Sequence, residues 1–160
     1  LNQDLREEHG WSYGARSRFS FTRMPGVFTA QAAVHTEHTG EALRAMLADT
    51  AELAKEGLTP EEVEKTRMLA RADLVESFES VAHATRRLAR NAGVGLPADH
   101  EQTSSARLYA AGPEELARLA ARYVDPARAD VVIVGPRAAI EPQLRAIGIT
   151  ALEAVGPEGE

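Results

Sequence analysis

Between Trp11 and Thr22 the chain alternates. Trp11, Tyr13, Ala15 and Ser17 stand against Ser12, Gly14, Arg16 and Arg18, and Phe19 and Phe21 follow. A period of two marks a strand. The preceding residues, LNQDLREEH, read as the end of a helix. Gly10 stops that helix, because glycine takes left-handed backbone at low cost. Met24-Pro25-Gly26 carries turn chemistry, so a second strand from Val27 to His35 closes a β-hairpin. Thr39 is then expected to cap a helix running to about Glu56, with Leu43, Met46, Leu47, Ala51 and Leu53 at roughly helical spacing. Gly57 ends it.

The next helix has the clearest start in the chain. Thr59 at the N-cap, Pro60 at the first helical position and Glu62 two residues later form a capping box. This helix is predicted to run from Pro60 to about Asn91, where Gly93, Gly95 and Pro97 break the pattern. A polar helical segment at about 98–110 follows, then a helix over GPEELARLAARYV. The run from Ala129 to Gly135, ADVVIVG, is short, continuously apolar and rich in β-branched residues, which reads as a buried strand. PRAAIEPQLRAIG makes a last helix, and ITALEAV a short strand or tail. The expected fold is α+β: an antiparallel or mixed sheet with long helices packed on one face.

Composition narrows the function classes. The 160 residues are ordinary for one domain, long enough to bury a core. A net charge of −6 argues against a nucleic-acid partner, since phosphate binding calls for a basic face. The absence of cysteine excludes disulfides and thiolate metal sites. No apolar run approaches the roughly 18 residues of a membrane span, and no signal peptide is visible. The chain opens at Leu1 rather than methionine, so it is read as a fragment of a longer protein.

Candidate chemistry is sparse. His35-Thr36-Glu37-His38 has the residue types of a zinc set. The helical zinc motifs, however, place two histidines four apart on one face, whereas these are three apart at a strand end, where they point to opposite faces. A solvated corner is the expected reading. His83 and His100 are read as surface residues, and His9 sits at a helix C-terminus, where a cation is favoured. Glu61-Glu62 and Glu114-Glu115 occupy first turns of helices, where negative charge is stabilising. No Ser-His-Asp set, G-x-S-x-G or phosphate loop is present.

The opening stretch changes this picture. LNQDLREEHGWSYGARSRF resembles the C-terminal, zinc-free half of the pitrilysin, insulinase and mitochondrial-processing-peptidase family of zinc peptidases, the inverzincins. There a helix ends in L-R-E-x-x-G, and a strand begins with an apolar or aromatic residue and a tyrosine. Downstream, GLTPEEVEKTRMLARADLVESFES resembles the family's G-x-T-x-x-E-L-x-x-A-K helix, and RADVVIVGP its final core strand. The likeness covers nearly the whole chain and is most specific over residues 1–19 and 57–80.

The resemblance implies a subdomain, residues 1–160, of the α/β roll of clamshell peptidases, in which two homologous halves close around a chamber. One half carries zinc on H-x-x-E-H and a further glutamate. The other lends an arginine and a tyrosine, seven residues apart, across the chamber. Arg6 and Tyr13 have that spacing. This chain has no H-x-x-E-H, so the fragment would hold no cofactor and be inactive alone; zinc would reside in a partner half or subunit, and a peptide would be the substrate. In the family a strand and most of a helix precede the matching stretch. Their absence is expected to leave an open sheet edge and to favour a homodimer of the fragment, strand exchange or docking to the rest of the protein. The compartment stays open between bacterial cytoplasm and periplasm. Other roles remain for each residue: Arg6 bonded to Asn2 one turn back, Tyr13 a core aromatic with its hydroxyl at the rim, Trp11 a packing residue. The alternative function is a non-catalytic scaffold or peptide-binding module of the same fold.

Overall fold

The computed structural model describes residues 1–21 and 26–156; the turn expected at Met24 and Pro25 lies outside them. Two compact units form: Leu1–Arg18, Ala30–Thr50 and Pro126–Glu160 in the first, Phe19–Thr29 and Ala51–Asp125 in the second.

The first unit begins with a single π turn, Gln3–Glu8, closed by the His9 N–H donating to the Asp4 carbonyl at 3.1 Å. Gly10 follows at φ +64°, in the left-handed region that side chains avoid, and the Trp11 N–H donates back to the Leu5 carbonyl at 2.9 Å. The helix end and its glycine stop thus stand as the sequence predicts, one turn long and wider than an α-helix. Strand β1 (Ser12–Ser20) pairs with β2 (Val27–Val34) in a two-stranded hairpin. Its first residues depart from simple alternation, since Ser12 and Ala15, three apart, are both buried. Side chains take over part of the bonding there. The Ser12 hydroxyl donates to the Ala33 carbonyl at 2.8 Å and accepts from the Gly14 N–H at 2.9 Å, while Asn2 Oδ1 accepts from the Ala15 N–H at 3.2 Å.

Helix α1 (Thr39–Glu56) lays its first turns on this hairpin. Leu5, Ala15 and Ala42 are buried together, with Trp11, Ala32, Val34, Ala45 and Met46 packed around them. Thr39 is not the cap that the sequence suggests. A 3-10 turn, Thr36–His38, precedes α1, and Thr39 is already helical; its hydroxyl donates to the Thr36 carbonyl at 3.0 Å. Helix α6 (Arg137–Ala146) seats on this corner. Gln143 Nε2 donates to the Thr36 carbonyl at 2.8 Å, and its Oε1 accepts from the Gly40 N–H at 3.0 Å. A side chain at Gly40 would meet Gln143 at 2.9 Å, so glycine permits the approach.

The run 129–135 is not a strand, and the sheet is not mixed: among the described residues only β1 and β2 pair. Val132 is 86% and Val134 93% exposed. A β-branched run becomes a strand only where a neighbour completes its backbone hydrogen bonds, and here none does. Residues 149–155 likewise form no strand. The fold class remains α+β, mostly helical with a small antiparallel sheet.

The second unit is built from helices α2 (Pro60–Phe78), α3 (Val81–Gly93), α4 (His100–Ala110) and α5 (Pro113–Tyr123). The predicted single helix from Pro60 to Asn91 is two. Ser80 is extended, at φ −135° and ψ 152°, and its hydroxyl caps α3 by accepting from the His83 N–H; serine competes for backbone donors in this way. The capping box at the start of α2 is present in full: Thr59 Oγ1 accepts from the Glu62 N–H at 3.2 Å, and Glu62 accepts from the Thr59 N–H at 2.8 Å. Thr59→Ala should cost about 1 kcal/mol, read as a lower midpoint in thermal unfolding; an unchanged midpoint would show that tertiary packing alone sets this helix start.

Candidate functional site

The segment from Arg6 to Tyr13 bends about Gly10. Leu5 points into the core, 0% exposed, and fixes the π turn against β1 and α1. Its neighbour Arg6 therefore projects outward and is exposed. Asn2, one turn back, is occupied by the Ala15 N–H, and Arg6 makes no hydrogen bond or ion pair among the described residues. Tyr13 is 81% exposed, so it is not a core aromatic. Its ring lies 5.5 Å from that of His35 at a tilt of 48°. No hydrogen bond joins Arg6 to Tyr13. Both are free to donate toward a ligand: a guanidinium with five N–H groups and a phenol with one O–H.

Between them the lone tryptophan is held on two sides. The indole of Trp11 stacks on His9 at 4.0 Å and on His38 at 5.6 Å. His9 Nε2 is 3.2 Å from Asp4, and His38 Nδ1 is 3.0 Å from Glu41. Trp11 is thus a packing residue, as expected, and its neighbours are His9 and one of the two histidines considered as metal ligands, His38. Among the described residues, no three His, Asp or Glu side chains are grouped as a metal ion would need. This stack has no signature in the sequence, since His38 reaches Trp11 only once the 3-10 turn has formed.

A second polar cluster also escaped sequence reading. In the second unit Arg87 on α3 forms a fork with Glu101 on α4, Nε to Oε1 at 2.8 Å and Nη2 to Oε2 at 2.9 Å. Arg87 Nη1 also donates to Asp73 and to the Ser77 hydroxyl on α2, each at 2.7 Å, and Asn91 donates to Glu101 at 2.6 Å. The hydrogen bond from Arg87, helped by Asn91, holds the Glu101 carboxyl down at about 2 against the opposing effect of burial. All its members are tied to one another, which is the pattern of a structural clasp between three helices.

Among the described residues no helix is long and apolar enough to cross a membrane.

Comparison with known proteins follows the same lines. Residues 1–69 match the family profile of the peptidase M16 inactive domain. No curated protein matches the chain. Among solved structures, the peptidase M16 inactive domain from Pseudomonas fluorescens is 20% identical, with a TM-score of 0.68 over 78% of this chain. The match covers 29% of that solved chain, so this chain spans less than a third of it. Residues 1–69 thus resemble the peptidase M16 inactive domain in sequence, and most of the chain shares the fold of the solved one.

Proposed function

We propose that this chain is the non-zinc half of a peptidase and lends Arg6 and Tyr13 to peptide binding and hydrolysis in a chamber completed by an H-x-x-E-H half. The supporting observation is the exposure of both side chains on either side of the Gly10 turn, with neither engaged by hydrogen bonds of its own domain. A scaffold has no use for a free guanidinium and a free phenol held by a buried leucine and a stacked tryptophan.

Peptide hydrolysis builds negative charge on the former carbonyl oxygen. Fixed donors aimed at that oxygen lower the barrier. Tyr13 supplies such a donor, and Arg6 holds the substrate backbone or shares the charge. The residues of this chain do not fit zinc, having no H-x-x-E-H; on this reading the metal would be held by the other half.

The test is peptide hydrolysis by the full-length protein, or by this chain together with its H-x-x-E-H partner. Tyr13→Phe and Arg6→Ala are compared with the parent, with zinc content and circular dichroism checked. Turnover should fall by roughly 10²-fold for Tyr13→Phe, with folding and zinc unchanged. Equal turnover would return the domain to the role of scaffold.

A further inference from the structure

The hairpin has a charge pattern unlike the rest of the chain. Asp and Glu number 24 in 160 residues, yet none occurs between Glu8 and Glu37. The same span holds three arginines, in a chain of net charge −6. Two of them, Arg16 and Arg18, lie on β1 and are exposed. Neither has an ion pair or hydrogen bond among the described residues.

Alternation sets which face they occupy. On β1, Ala15 packs inward against Leu5 and Ala42, so Arg16 and Arg18, at odd offsets from it, face away from the core. On β2, Ala32 and Val34 pack inward, leaving Gln31, Ala33 and then His35 on the outer face, all three exposed. Tyr13 joins this face through its ring contact with His35. The outer face of the ribbon within the first unit is thus a carboxylate-free strip with Tyr13 at one end and two unpaired guanidiniums beyond it.

We propose that this strip binds acidic peptide segments, with Arg16 and Arg18 selecting carboxylate side chains. The proposal rests on the reading of Tyr13 as a peptide contact and adds the class of peptide. Residues two apart on an extended chain sit about 6.6 Å apart on one face, the spacing of Arg16 and Arg18 themselves. An extended peptide lying along β1 therefore brings Asp or Glu at alternate positions over both guanidiniums, each able to form a two-pronged bond. A long phosphate polymer fits less well, because the remainder of the chain is strongly acidic. Exposed pairs contribute little each and are screened by salt, so the expected selectivity is modest and salt-dependent.

The experiment is fluorescence anisotropy of labelled ten-residue peptides with the full chain. Three peptides share one backbone and carry Glu, Gln or Lys at alternate positions. The Glu peptide should bind about tenfold more tightly than the Gln peptide at low salt. That preference should vanish in the Arg16→Gln/Arg18→Gln variant and at about 0.5 M salt. Both substitutions are on the solvent face, and thermal unfolding checks that the fold survives. Equal binding of all three peptides, still weakened by Tyr13→Phe, would overturn the acidic preference and leave Tyr13 as a peptide contact. Binding of the three at equal strength without any effect of Tyr13→Phe would overturn both, as would no binding at all. Tighter capture of a single-stranded oligonucleotide than of the Glu peptide would assign the strip to phosphates and also overturn the proposal.

Discussion

Leu5→Ala is expected to lower the stability of the first unit by about 3–4 kcal/mol. Leu5 has no exposed surface at all, and its core is small: Ala15 and Ala42 are the other buried members, and neither can expand to fill the space. The cost is therefore well inside the range for a leucine truncation, where cavity and lost transfer add. The consequence reaches the site, because Leu5 is the pin that holds the π turn and thereby Arg6. Chemical unfolding followed by Trp11 fluorescence reports directly on this unit, as Trp11 is the only tryptophan and packs against the same cluster. A loss below about 1 kcal/mol would mean that the π turn contributes little to the fold.

Arg87→Met should destabilise the second unit by about 3 kcal/mol, since it leaves Glu101 and Asp73 without their cation. Glu101 is 16% and Arg87 19% exposed, so solvent recovers only part of what the fork provided. The pH dependence has a defined sign. The Glu101 carboxyl titrates at about 2 in the folded chain and at 4.5 in its ordinary state. A depressed carboxyl contributes stability that is complete above the ordinary value and is lost as pH falls toward the folded one. Stability should therefore decline between about pH 4.5 and 2, and the gap between parent and Arg87→Met should narrow over the same interval. Thermal unfolding at several pH values measures both; a gap that stays constant with pH would assign the clasp to packing rather than charge.

Much of the fold was legible because its signals are local. The capping box at Thr59, the glycine stop at Gly10 and the alternation of the hairpin each depend on residues within one or two turns. What failed depended on partners elsewhere in the chain or on side-chain bonds that periodicity conceals. The run from Ala129 to Gly135 has the residues of a strand but no neighbour to bond. The break at Ser80 came from a hydroxyl that captured the His83 N–H, where helical periodicity on both sides concealed it. Thr39 looked like a cap and became the first residue of α1, because the 3-10 turn at Thr36–His38 leads directly into it. At the proposed site, Arg6 and Tyr13 were suggested by the spacing that the family resemblance implies, and the structure adds that both are exposed. The rings around Trp11 and the clasp at Arg87 were not readable, since long-range contacts leave no mark in a single sequence.

The uncovered valines at Val132 and Val134 have a consequence for handling the protein. A short β-branched stretch with unmet backbone groups is a template on which another chain can assemble in the cross-β manner. Its flanks oppose this. Arg128 and Asp130 place charge at one end, and Gly135-Pro136 interrupts extension at the other. The solution lifetime of the isolated chain is thus a contest between four apolar residues that favour fibrils and the gatekeepers on either side, and it shortens as concentration rises.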